Sequence, residues 1–244
     1  MPVIATELQK IVNTKNAYID SLIKQFETEY GTISKDILNS LKTLYRSGQW
    51  DYDTVLGVFQ QAGYPETIQG FVEQYAETMK FAKEVAAYSG TEFLLSEKGM
   101  DAIGFMQEQH AQGLIKGMEK YAQTLVEMGV KHTIEGTGFN QLVADLQSEL
   151  DVMGRNAKIE ISEGIKTFDR AIASEQFKEA GIELFVYVGP DDELTRDSCA
   201  EVLHDPRQET GWTRDDIADS PVSFIGGGGW NCRHDWMPYI EGFE

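Results

Sequence analysis

Four residues near the end of this chain have the types that build a tetrahedral metal centre: Cys199, His204, Cys232 and His234. Thiolate sulfur and imidazole nitrogen together suit zinc. Cys232 and His234 are two positions apart, so in an extended segment they point to one face. Cys199 and His204, five apart around a helix end, converge only with a looser geometry. Two other readings use the same atoms. The cysteines pair as a Cys199–Cys232 disulfide, or they stay as small buried hydrophobes with neither bond nor metal. In the latter case no cofactor is needed, and His234 between Arg233 and Asp235 holds only a hydrogen bond. A Cys–His nucleophile pair would need a third orienting group and an oxyanion hole, and neither stands at a recognisable spacing.

The neighbouring motifs carry less chemistry. Gly226–Gly229 is followed by no Lys-Ser/Thr and no helix start, so it reads as a flexible turn rather than a phosphate loop. Asp191, Asp192, Glu193 and Asp197 lack the alternation of a calcium loop and read as acids answering a helix dipole. HExxH, GxSxG and GxGxxG are all missing. On motifs alone the chain is not expected to be an enzyme.

The elements that must position these residues fall into two regions, and the predicted fold class is mainly α. A helical N-terminal two thirds, residues 1–181 with candidate subdivisions near 90–100 and 136, precedes a small α+β module over 182–244. Ile4, Leu8, Ile11, Ile19, Leu22, Phe26, Tyr30 and Ile33 share one helical face. Gly31-Thr32 is expected to break that run, with Ser34 capping a second helix. Gly48 ends it, a short helix follows to Ala62, and Pro65 opens another running to about Tyr88. Further helices are expected over about 100–128 and about 139–180, the latter as two helices meeting near Gly154 or Gly164. Leu184–Val188 is the best strand, β-branched and aromatic between Gly181 and Gly189-Pro190. Short helices over about 194–203 and after Thr213, and a strand over Trp230–Trp236, complete the module.

Charge separates the regions further. The 244 residues carry 21 Lys+Arg against 40 Asp+Glu, a net −19. Counting from Gly189 to the end gives 13 acidic and 4 basic residues, so −9 sits in the last 56 positions. Such a surface repels phosphate backbones and anionic lipid, and argues against direct nucleic-acid binding and against a membrane role. No apolar run approaches the ~18–20 residues of a span. The first residues also lack the basic and apolar regions of a signal peptide, so a protein made in the cytoplasm is expected.

Three C-terminal segments carry a resemblance. Phe185–Cys199, with Gly189-Pro190, Asp192, Thr195-Arg196 and Cys199, resembles the strand and "G-P-x-D-x-x-T-R-x-x-C" segment of phage head morphogenesis proteins, the Mu F-like minor capsid family. Trp212–Ile217 is similar to the short element that follows in one branch. Gly227–Pro238 is similar to the closing "G-G-x-N-C-R-H-x-W-x-P" signature. Order and spacing agree over about residues 155–239. In the better-known branch a cysteine stands at the position of Arg196, a histidine at Gly229 and a cysteine at His234, so His204 would have to be a replacement ligand here.

The resemblance implies a virion protein of the phage head, made in the host cytoplasm, non-enzymatic, at or near the portal vertex. It would act through contacts with the portal protein, the major capsid protein or copies of itself, in head assembly or genome delivery. A head decoration or adaptor protein is the alternative, and an enzyme using Cys199, Cys232 and His234 with zinc or a thiol is the rival from another class. Asp192, Thr195, Arg196, Asn231, Arg233 and Trp236 are assigned to structure.

Overall fold

The computed structural model describes residues 3–240, and the fold is mainly α with a two-stranded antiparallel sheet near the C-terminus. Three long helices dominate: α1 (Val3–Ser47), α5 (Glu97–Glu135) and α6 (Phe139–Glu179). Between the first two lie α2 (Tyr52–Gln61), α3 (Tyr64–Glu73), a 3-10 turn (Gln74–Thr78) and α4 (Met79–Tyr88). The remainder is β1 (Phe185–Val188), α7 (Asp197–Leu203), a 3-10 turn (Pro206–Gln208), α8 (Arg214–Ala218) and β2 (Asp235–Pro238).

Several boundaries fall where local chemistry puts them. Asp51 caps α2 by accepting from the Thr54 N–H, and Thr213 with Asp216 forms a capping box on α8. Gly48 and Gly136 close their helices with φ of 72° and 65°. Elsewhere helix continuity overrides local breakers. Gly31-Thr32 does not interrupt α1, and Ser34 is a buried mid-helix residue rather than a cap. Residues 139–179 form one helix, not two. Gly154 serves packing instead, because a Cβ there would stand 2.3 Å from the Tyr30 ring. The helix opened near Pro65 is divided by the 3-10 turn over Gln74–Thr78. The second strand is shorter than expected: residues 230–234 form a turn and an irregular approach, and pairing begins at Asp235.

The chain divides into two compact units. One comprises 22–73 and 107–161 and is entirely helical. Its aromatic core includes Phe26 against Phe71, with centroids 5.3 Å apart and edge-on, and Trp50 donating to the Val126 carbonyl at 3.1 Å. The other unit takes residues up to 21, 74–106 and those from 162 on, so residues 182–240 share it with parts of α1, α5 and α6. Its core joins Leu8, Val12 and Val85 of the helices to Phe185, Trp212 and Trp236. β1 and β2 pair in antiparallel register, Tyr187 opposite Trp236 and Val188 opposite Asp235. Trp212 extends the sheet by one bridge, exchanging two backbone hydrogen bonds with Phe185.

Candidate metal centre and the loops around it

Cys199 lies in the first turn of α7, whereas Cys232 and His234 lie on the irregular segment leading into β2. These three side chains converge. All are buried, and their ligand atoms lie within 4.8 Å of one another. The Cys199 and Cys232 Sγ atoms are 3.9 Å apart as free thiols, and Cys232 Sγ is 3.7 Å from His234 Nδ1. Strand alternation is not what brings Cys232 and His234 together. Asn231 takes a left-handed φ of 57°, and the Cys232 N–H donates back to the Gly229 carbonyl, turning the chain inward before the strand starts.

His204 is not part of this cluster. It caps the end of α7 on the surface, where its Nε2 meets Asp191 Oδ2 at 2.9 Å and its side chain is 64% exposed. The helix turns it away from Cys199, so the four candidate ligands reduce to three.

The surroundings fit the cluster closely. His234 Nε2 lies 2.7 Å from the Pro190 carbonyl. A carbonyl only accepts, so Nε2 carries the proton and Nδ1 presents its lone pair to the thiols. The ring stacks on Tyr187, whose hydroxyl is 3.3 Å from Cys232 Sγ and 3.5 Å from Cys199 Sγ. Two glycines make room: a Cβ on Gly228 would stand 2.2 Å from Cys199 Sγ, and one on Gly189 would stand 2.2 Å from the His234 ring. Burial pushes the Cys232 thiol up, while the Tyr187 hydroxyl, the Arg170 guanidinium and the Gly228 N–H favour its thiolate and pull it down. Burial holds the Cys199 thiol above its ordinary value. The cluster could hold a metal ion.

Beneath it lies a charged network. Arg170 of α6 donates from Nε to Asp235 Oδ1 at 3.0 Å and from Nη2 to the carbonyls of Cys232 and His234 at 3.0 and 3.1 Å. Lys15 of α1 meets Asp235 Oδ2 at 2.8 Å and also bonds Asp169. All four side chains are about as buried as the apolar core, so two cations and two carboxylates neutralise one another out of water. Burial works against the charge on Lys15, but its two carboxylate partners outweigh it and raise its pKa. Burial likewise works against Asp235, whose two cations still hold it low.

The remaining signature residues hold two loops. Arg233 forks onto Asp192, with Nη1 to Oδ2 at 2.9 Å, and Asp192 also accepts from the Leu194 N–H at 3.0 Å. The Thr195 hydroxyl donates to the Pro190 carbonyl and accepts from the Asp192 N–H. Arg196 donates to the carbonyls of Gly228 and Trp230. Asn231 is gripped from α6, by Lys166 at its side chain and Glu163 at its N–H, both at 2.6 Å. Trp236 is a core residue, 4.8 Å from Tyr187 and 5.4 Å from Trp212 by ring centroids. Each of the six residues assigned to structure therefore makes an internal bond or packs in the core.

No protein-family model, curated protein or solved structure matches this chain. Among the described residues, no helix is long and apolar enough to cross a membrane.

Proposed function

We propose that this chain is a non-enzymatic minor head protein of a bacteriophage, residing in the virion at or near the portal vertex. It acts by contacts with the portal or major capsid protein, or with further copies of itself, in head assembly or genome delivery. The resemblance of the three C-terminal segments motivates the family. The observation that carries the structural role is where the polar signature residues point. Asp192, Thr195, Arg196, Asn231 and Arg233 bond other parts of the chain, in a pattern that ties loops together. A catalytic constellation would instead leave polar groups converging on a space for substrate. Mass spectrometry of purified phage particles tests this: the chain is expected in a small fixed copy number, whereas one copy per lattice subunit would make it a decoration protein.

Zinc is the ion we assign to the thiol–imidazole cluster, whose three protein ligands would leave the fourth tetrahedral position to a non-protein ligand. A tetrahedral zinc with ~2.3 Å zinc–sulfur bonds has a sulfur–sulfur edge of about 3.8 Å. The Sγ atoms of Cys199 and Cys232 stand 3.9 Å apart. A disulfide would require about 2.05 Å. The proton on His234 Nε2, held by Pro190, is the outer hydrogen bond that fixes a ligating imidazole. Cys199, Cys232 and His234 would hold the ion and thereby pin α7 to the approach to β2.

A further inference from the structure

Two large apolar side chains on the loops beside the metal cluster are unaccounted for by the fold. Leu194 is 77% exposed and Trp230 is 57% exposed. They sit on the loops that the signature residues tie together. Arg196 reaches across to the Gly228 and Trp230 carbonyls, and Arg233 reaches back to Asp192. From below, Lys166 and Glu163 hold Asn231, and Asn16 of α1 donates to the Arg233 carbonyl at 2.9 Å. The loop backbones are thus fixed on both sides of each exposed residue. Fixing a loop in advance removes ordering cost from a later contact, and tryptophan on such a loop is the residue type that dominates protein interfaces.

We propose that Leu194 and Trp230 form a docking point for a protein surface that offers an apolar cleft with a basic rim. Charge selects this occupant. Asp191, Glu193 and Asp197 are exposed beside Leu194, while the nearby cations, Arg196 and Arg233, already have carbonyl and carboxylate partners. A nucleic acid or an anionic membrane would be repelled. A second copy of this chain would bring the same carboxylates against themselves. The inference rests on reading the chain as one that works by protein contacts, and names the chemistry of the partner.

The test uses the full chain and the double variant Leu194→Ser/Trp230→Ser. Both are titrated by calorimetry with an amphipathic helical peptide of leucine and lysine, and with its leucine–glutamate counterpart, at physiological salt. Sedimentation of the same samples reads self-association. The unaltered chain is expected to bind the lysine peptide roughly tenfold or more tighter than the double variant does, as loss of anchor residues implies, and not to bind the glutamate peptide. Equal affinity of chain and variant, no binding, a preference for the glutamate peptide, or a dimer dissolved by the substitutions would each overturn the proposal. Leu194→Gln alone, at the more exposed position, gives the same reading should the double variant not fold. Absence of the chain from phage particles would remove the head reading but leave this surface standing, so the two failures are distinct.

Discussion

Arg170 and Asp235 form a buried ion pair, Nε to Oδ1 at 3.0 Å, that fastens the longest C-terminal helix to the last strand. The same guanidinium binds the carbonyls on either side of Arg233, so one side chain sets the path of the segment carrying Cys232 and His234. Lys15 completes the charge balance from the first helix.

Removing one member of this network leaves an uncompensated charge out of water. Lys15→Met is expected to destabilise the chain by about 3–5 kcal/mol, the range for breaking a buried pair on one side. Urea unfolding followed by circular dichroism measures it. A loss within experimental error of zero would mean that the network contributes nothing net.

The cluster makes a separable prediction about metal. The purified chain is expected to carry stoichiometric zinc by elemental analysis, and Cys199→Ser or Cys232→Ser to lose it. His204→Ala keeps it, because that imidazole sits on the surface with Asp191. Chelation is expected to lower the melting temperature, since a structural ion contributes to folding. Zinc loss in His204→Ala would restore the four-ligand reading.

Two glycines test the fit of the cavity. Gly189→Ala drives a methyl into the His234 ring and Gly228→Ala drives one onto the Cys199 sulfur. Each is expected to cost about 1–3 kcal/mol as overpacking and to weaken zinc retention against a competing chelator. Retention equal to that of the unaltered chain would show that the site is looser than its contacts.

The Asp192–Arg233 tie predicts a pH dependence. The hydrogen bond from Arg233 leads a set of contacts that pull the Asp192 carboxyl down to about 2. A depressed carboxylate contributes stability that is present above its unfolded value near 3.8 and lost as pH falls through its folded value. The melting temperature of Asp192→Asn is therefore expected to lie below that of the unaltered chain at neutral pH, with the gap closing between about pH 4 and pH 2. A constant gap across that window would assign the effect to something other than the charge. Arg233→Ala is expected to show the same closing gap.

Much of this fold follows from local pattern, and the exceptions have a common cause. The strand ending at Val188 and the short helix after Thr213 are set by neighbours in sequence and were legible there. Gly31 and Gly154 misled because long-range packing, not propensity, decides whether a helix continues. Of the candidate ligands, Cys199, Cys232 and His234 were legible by type, but His204 could be set aside only once the helix end fixed its direction. The charged network was missed. Its bonds span up to 154 positions, which local pattern does not see. A signal existed nonetheless: Lys15 stands in the apolar stripe of Leu8, Val12, Ile19 and Leu22, and Asp169 follows Ile165 by four. A charge on a core-facing stripe points to a buried partner.

The role proposed for the chain is that of a phage-head component working through contacts rather than turnover. A reconstruction of the intact particle, with the chain's density assigned, tests it most directly. The chain is expected at the portal vertex, in few copies, touching portal or capsid subunits. Particles that lack the chain altogether would contradict it.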